Sequence, residues 1–82
     1  MALPKRNDLS IDSMVREVLH RLGDIDVAYE IKLYQVEDST ADQELKSHIK
    51  RKIRAAHHER REPYVELLTT LRQRQHRTSL QA

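Results

Sequence analysis

The 82-residue chain has 34% charged residues, a single Gly and no Cys, Phe or Trp, which is typical of a small helical protein with a solvated surface. The lack of cysteine excludes a disulfide framework and a thiolate zinc site. No apolar run approaches the roughly 20 residues of a membrane-spanning helix. We therefore expect one all-α domain in the cytoplasm, and at this size its stability as a monomer should be marginal without a partner.

The first predicted helix spans residues 11–37. Residues 1–9 contain Pro4 and show no periodicity, so they are expected to form a flexible arm, and Ser10 is a good N-cap. Gly23 permits a bend within the helix. Apolar residues at spacings of three and four place one stripe along this helix: Ile11, Val15, Val18, Leu22, Ile25 and Tyr29.

A turn at residues 38–41 separates this helix from a second one, predicted over residues 42–75. Ser39 or Thr40 can cap it, and Gln43 completes a capping box with Thr40. Pro63 lacks an amide hydrogen and predicts a kink or a break, and residues 76–82 are expected to fray. The second stripe consists of Leu45, Ile49, Ile53, Ala56, Tyr64, Leu67 and Leu71.

A short turn makes the two helices antiparallel, so the predicted domain of residues 10–75 is a long helical hairpin. Counting outward from the turn pairs Tyr29 with Ile53. The apolar faces are wider than two helices can cover, which favours two hairpins in a four-helix bundle, or one hairpin docked on another protein. We expect a homo-oligomer, with a dimer favoured. Its predicted interface comprises Ile11, Val15, Val18, Leu22, Ile25, Tyr29, Ile49, Ile53, Leu67 and Leu71.

Charge is divided unequally between the two halves of the chain. Residues 1–41 carry five basic and eight acidic side chains, whereas residues 42–82 carry ten basic and five acidic ones. A basic ridge on the second helix could bind a protein partner or lie along nucleic-acid phosphates. The simpler interpretation is a solvated face whose Arg54 and Arg60 pair with acids of the first helix. The predicted partner or nucleic-acid surface comprises Lys46, Lys50, Arg51, Arg54, Arg60, Arg61 and Tyr64.

Two basic residues, Lys32 and Arg60, occupy stripe positions where an apolar residue was expected. Long basic side chains at such positions can extend to water, or can fix the register and number of helices. A third interpretation is that they mark where a partner docks.

Metal binding and catalysis have little support. His58 with Glu62 and Glu44 with His48 have the spacing of helical metal ligands, and His57 should fall opposite Asp26, but Glu44 and His48 have no obvious acidic partner on the first helix. Serines and threonines at caps and turns lack a neighbouring base. We expect surface histidines, no metal, no cofactor and no enzymatic activity.

Three segments resemble the short two-helix hairpins of encapsulated ferritins: residues 29–30 before the turn, residues 42–46 after it and residues 67–72. The positions that correspond to that family's metal-binding Glu and His fall near Arg60 and Pro63, which cannot bind iron. The resemblance therefore implies a hairpin but no ferroxidase activity.

The sequence thus predicts a small non-enzymatic helical interaction module, acting as an adaptor, assembly or regulatory protein through self-association and the binding of a macromolecular partner. Two alternatives remain: a nucleic-acid-binding bundle that uses the basic ridge, and a metal-binding bundle.

Overall fold

A computed structural model of the chain describes the backbone of residues 6–81 and the side chains of residues 10–77. Two helices form an antiparallel hairpin, α1 at Arg6–Glu37 and α2 at Gln43–Gln81. The described residues contain no strand. The prediction of an all-α helical hairpin is confirmed.

Both helices extend further than the sequence predicts. α1 begins at Arg6, so residues 6–9 of the predicted arm are helical and Ser10 lies inside the helix instead of capping it. α2 continues past residue 75 to Gln81. Residues 1–5 and 82 lie outside the described part of the chain. Neither extension contains Gly or Pro, and the apolar stripe marks only the packed part of each helix.

Pro63 does not interrupt α2, so of the kink or break that the sequence predicts, the break is absent. Proline lacks an amide hydrogen, so the carbonyl of Glu59 loses its helical donor. Packing on both sides of the proline holds the helix together. Tyr64 and Leu68 pack on the core beyond it, and Arg61 bonds to α1 before it.

The turn uses a different capping residue from the one predicted. The Asp42 carboxylate accepts a 2.8 Å hydrogen bond from the amide of Leu45, whereas the Ser39 hydroxyl donates to the carbonyl of Val36 at the end of α1. Asp42 is therefore the N-cap of α2, in place of Ser39 or Thr40. A carboxylate also suits the positive end of the helix dipole.

The hydrophobic core lies in the half of the hairpin remote from the turn. Among the side chains of residues 10–77, those that are buried are Val15, Val18, Leu22 and Leu71. Ile11, Tyr64 and Leu68 pack against them partly buried. The half near the turn has no fully buried side chain within the described residues.

Several contacts between the helices differ from the predicted pairing by about one turn, although His57 lies beside Asp26 as predicted. Tyr29 stacks on His57, with ring centroids 3.9 Å apart and planes 18° apart, where the sequence places it opposite Ile53. At the far end the Gln75 amide donates to Asp12 at 2.7 Å. Counting from the turn pairs apolar residues alone, whereas polar contacts between the helices fix the actual register.

The hairpin exposes more surface than a compact protein of its mass. Its radius of gyration is 18.7 Å and its extents are 65 × 20 × 13 Å, whereas a compact domain of this length has a radius of gyration of about 12 Å. Its accessible surface is 6860 Å², against about 5,100 Å² for a typical monomer. Within residues 6–81 neither helix has a stretch apolar enough to cross a membrane.

Candidate functional site

An open groove lies between the helices in the half near the turn. Its floor is apolar because Ile25 and Tyr29 of α1 face Ile49 and Ile53 of α2 there, and the small side chain of Ala56 leaves the space between them unfilled. The volume of the groove is about 220 Å³. The full lining is Ile25, Tyr29, Lys32, Ile49, Lys52, Ile53, Ala56, His57 and Arg60.

Three cations border this groove: Lys32, Lys52 and Arg60. No carboxylate is among the lining residues. No described side chain forms a hydrogen bond or an ion pair with any of the three. Their apolar stems can cover the floor while the charges stay in water. Lys32 and Arg60, the two basic residues that interrupt the apolar stripes, therefore lie at the same groove. Lys52 borders this groove too.

A polar cluster of Asp26, His57, Arg61 and Tyr29 adjoins the groove, which Tyr29 and His57 line. The Asp26 carboxylate accepts a hydrogen bond from Arg61 at 2.6 Å and lies 2.8 Å from Nε2 of His57. Hydrogen bonding from Arg61, and then from His57, lowers the pKa of Asp26. His57 lies opposite Asp26 as the sequence predicts. The arginine that pairs with Asp26 is Arg61, whereas the sequence predicts Arg54 or Arg60.

The basic ridge is partly engaged by α1. Lys50 forms an ion pair with Glu37, Lys46 donates to the backbone carbonyl of Glu37 at 2.9 Å, and Arg61 bonds to Asp26. Arg51 and Arg54 form no ion pair with a described side chain. Three cations of the ridge are therefore engaged by α1, but they are not Arg54 and Arg60, which the simpler interpretation pairs with acids of the first helix.

Tyr64, which the sequence places on the partner surface, is half-buried and packs on the core. Of the residues predicted at an oligomer interface, four are buried inside the single hairpin and cannot face a second copy: Val15, Val18, Leu22 and Leu71. Four others line the groove: Ile25, Tyr29, Ile49 and Ile53. Ile11 packs partly buried on the core, and Leu67 is exposed.

A second apolar surface was missed by the sequence analysis. We call it the outer strip, formed by Val27, Ile31 and Tyr34 of α1, which are 59%, 51% and 73% exposed. Spacings of four and three residues place them on one helix face. The sequence contains a pattern that indicates this surface. Apolar residues occur on all sides of α1 between residues 25 and 36, which is typical of a helix covered on all sides.

Acidic residues surround the outer strip. Asp24 and Asp38 continue its three- and four-residue spacing at either end, and Glu30 lies beside Ile31 and Tyr34. Within the described residues Asp24 contacts only His20, at 3.6 Å on an exposed surface, and neither Glu30 nor Asp38 forms an ion pair.

One cation lies nearby, because Arg54 borders the same shallow depression as Glu30. Lys50 and Glu37 also border it but neutralise each other. The surroundings of the strip are therefore acidic on balance.

No metal-binding cluster is present in the part of the chain that the structure describes. His58 and Glu62 lie 3.6 Å apart on an exposed face without a third ligand. A single histidine–carboxylate pair of this kind does not complete the coordination that zinc requires.

No protein-family model, curated protein or solved structure matches this chain. The resemblance to encapsulated ferritins therefore gains no support from these comparisons, and the functional argument depends on the geometry of the hairpin.

Proposed function

We propose that this chain is a non-enzymatic helical interaction module that self-associates through its exposed apolar surfaces and binds another macromolecule as an adaptor, assembly or regulatory protein of the cytoplasm. The observation that carries the proposal is the open apolar groove. Its floor of isoleucines and Tyr29 is only half-buried by the hairpin, in a chain that exposes about a third more surface than a typical monomer of its mass.

Burial of this surface would stabilise an assembly. Each 100 Å² of apolar surface removed from water contributes about 2.5 kcal/mol before the cost of association. A four-helix bundle of two hairpins, which the apolar pattern favours, is one arrangement that would cover this surface.

The nucleic-acid alternative is weaker. Lys46, Lys50 and Arg61 already contact α1, which leaves Arg51, Arg54 and Arg60 as the unpaired cations of the predicted nucleic-acid surface within the described residues. Fewer free cations release fewer counterions from a phosphate backbone. If the native chain is retained on duplex DNA or structured RNA at low salt and is released when the salt is raised, the nucleic-acid alternative is supported.

Sedimentation equilibrium with a matched pair of variants tests the proposal. Ala56→Gln fills the groove without changing the charge, whereas Ala55→Gln makes the same change at the neighbouring exposed residue outside the groove. We expect Ala56→Gln to weaken self-association about tenfold or more, and Ala55→Gln to leave it within about twofold of the native value. A native chain that stays monomeric at millimolar concentration would overturn self-association.

A further inference from the structure

The two exposed apolar surfaces of the hairpin carry opposite charge. Lys32, Lys52 and Arg60 border the groove, and no acid lies among its lining residues. The outer strip is surrounded by Asp24, Glu30 and Asp38, and Arg54 and the Lys50–Glu37 ion pair border it on one side. Both surfaces lie in the half of the hairpin near the turn, and both are uncovered in the single chain.

We infer that the outer strip of one copy docks in the groove of a second copy, so that the chains associate head to tail. This inference rests on the proposed self-association and names the surfaces that it uses. α1 of one chain becomes a third helix against the α1 and α2 of the next.

The dimensions of the two surfaces agree. The strip extends over seven residue steps from Val27 to Tyr34, and the apolar floor of the groove on α2 extends over seven from Ile49 to Ala56, with Arg60 one turn beyond it. At 1.5 Å per residue each surface is about 10 Å long. Anchors at i, i+4 and i+7 are the pattern by which a helix lies in an apolar groove.

Charge distinguishes this arrangement from the two symmetric ones. Groove against groove would bring together the two sets of Lys32, Lys52 and Arg60, and strip against strip would bring together the two sets of carboxylates. When the groove of one chain faces the strip of another, the cations of the groove lie opposite carboxylates of the strip. Those carboxylates have no strong partner within their own chain. Complementary potentials favour that pairing, and like charges penalise the others.

The exposed area of the chain allows two such surfaces. The accessible surface of 6860 Å² exceeds that of a typical monomer by about 1,700 Å², and two surfaces of about 10 Å in length take up only part of that excess. Because each chain offers one groove and one strip, the contact is heterologous. Repetition gives a closed ring or an open filament instead of a two-fold dimer.

Two blocked variants and their mixture test the inference. Ile31→Gln removes the central anchor of the strip, and Ala56→Gln fills the groove. Each keeps one intact surface, so we expect each alone to be monomeric at a concentration at which the native chain associates. The equimolar mixture should form a one-to-one heterodimer of twice the monomer mass, and this species cannot grow further.

Val65→Gln is the control, because it replaces an exposed apolar residue that belongs to neither surface. It should associate like the native chain. Circular dichroism should show unchanged helix content in all three variants.

Other outcomes of this experiment would overturn the inference. If Ala56→Gln prevents association while Ile31→Gln associates normally, the groove pairs with itself: the proposed self-association stands and the head-to-tail arrangement fails. A mixture in which both variants remain monomeric likewise overturns the head-to-tail arrangement. If the native chain itself is monomeric at every concentration, both proposals fail.

A charge-exchange experiment provides an independent readout. Lys52→Glu in the groove and Glu30→Lys beside the strip should each weaken self-association about tenfold, because each places like charges in contact. A mixture of the two should associate nearly as well as the native chain, since the reversed surfaces match. Self-association of both variants at native strength would contradict the role of charge.

Discussion

At the scale of single residues, Asp26 is the main polar connection between the helices. It binds Arg61 and His57 of α2, and His57 in turn stacks on Tyr29 at the wall of the groove. The cluster lies where the buried core ends and the open groove begins. It therefore fixes the register of α2 on α1 in a region with few buried apolar contacts.

Asp26→Asn should destabilise the hairpin by about 1 kcal/mol at pH 7, a modest value because the carboxylate is 45% exposed. The pKa of Asp26 is lowered in the fold, so its contribution is present above the usual aspartate pKa of about 3.9 and is lost as the pH falls through the lower, folded value. The native and variant chains should therefore differ in urea unfolding at pH 7 and converge at acid pH.

Asp24→Asn is the matched control, because Asp24 contacts only the exposed His20 among the described side chains. It should change the free energy of unfolding by a few tenths of a kcal/mol at most. Equal losses in the two variants, or a difference that persists unchanged at pH 2, would show that the cluster does not stabilise the hairpin.

Sequence reasoning reached part of this cluster. Helical spacing and the antiparallel arrangement place His57 opposite Asp26, and the structure agrees. Arg61 follows His57 by one helical turn and so faces the same carboxylate, whereas Arg60 is rotated toward the groove. To decide which of the neighbouring arginines contacts Asp26, the register of the helices must be known. The apolar stripes alone do not reveal the one-turn offset of that register.

At the scale of helices and turns, the ends of the helices were harder to predict than their existence. The stripes predicted two helices and the turn between them. The cap was misassigned, because several residues between 38 and 42 have side chains able to accept from a helix amide. Asp42 takes that role since it directly precedes Gln43, the first residue of α2.

Asp42→Ala should therefore destabilise the hairpin by about 1 kcal/mol through loss of the cap. Thr40→Ala, which removes the capping residue that the sequence favours, should have little effect. Thermal unfolding followed by circular dichroism compares the two. A larger loss for Thr40→Ala would contradict the capping geometry of the turn.

Gly23 lies within an uninterrupted α1, and a methyl group added there would meet no atom within 4 Å. Gly23→Ala should therefore stabilise the hairpin by up to about 1 kcal/mol. Ala55→Gly, at an exposed position in the interior of α2, is the reciprocal change and should destabilise it by a similar amount. Destabilisation by Gly23→Ala would indicate that α1 bends at this residue or that a partner approaches it closely.

At the scale of the whole molecule, the core is small for the amount of surface. Among the described side chains four are buried, all in the half remote from the turn. α1 is apolar on two sides near the turn, and α2 covers one of them only in part. The sequence pattern indicated excess apolar surface but not its division into two surfaces of opposite charge, because that division depends on the contacts between the helices.

The melting temperature should rise with protein concentration, because any assembly that covers the groove stabilises the folded chain by mass action. High salt should reduce this dependence if the interface opposes cations with carboxylates, since mobile ions screen such pairs. Circular dichroism melts over about a hundredfold range of concentration measure both effects. A melting temperature that is independent of concentration would contradict self-association.

The position of the core also determines how the hairpin responds to mechanical force. A pull applied between the two chain ends acts first on the side chains around Leu71, which is 2% exposed and lies far from the turn. Once that cluster separates, the half near the turn offers mainly the Asp26 and Glu37 contacts as further resistance. The hairpin should therefore rupture in one principal event at its open end, after which the two helices separate toward the turn.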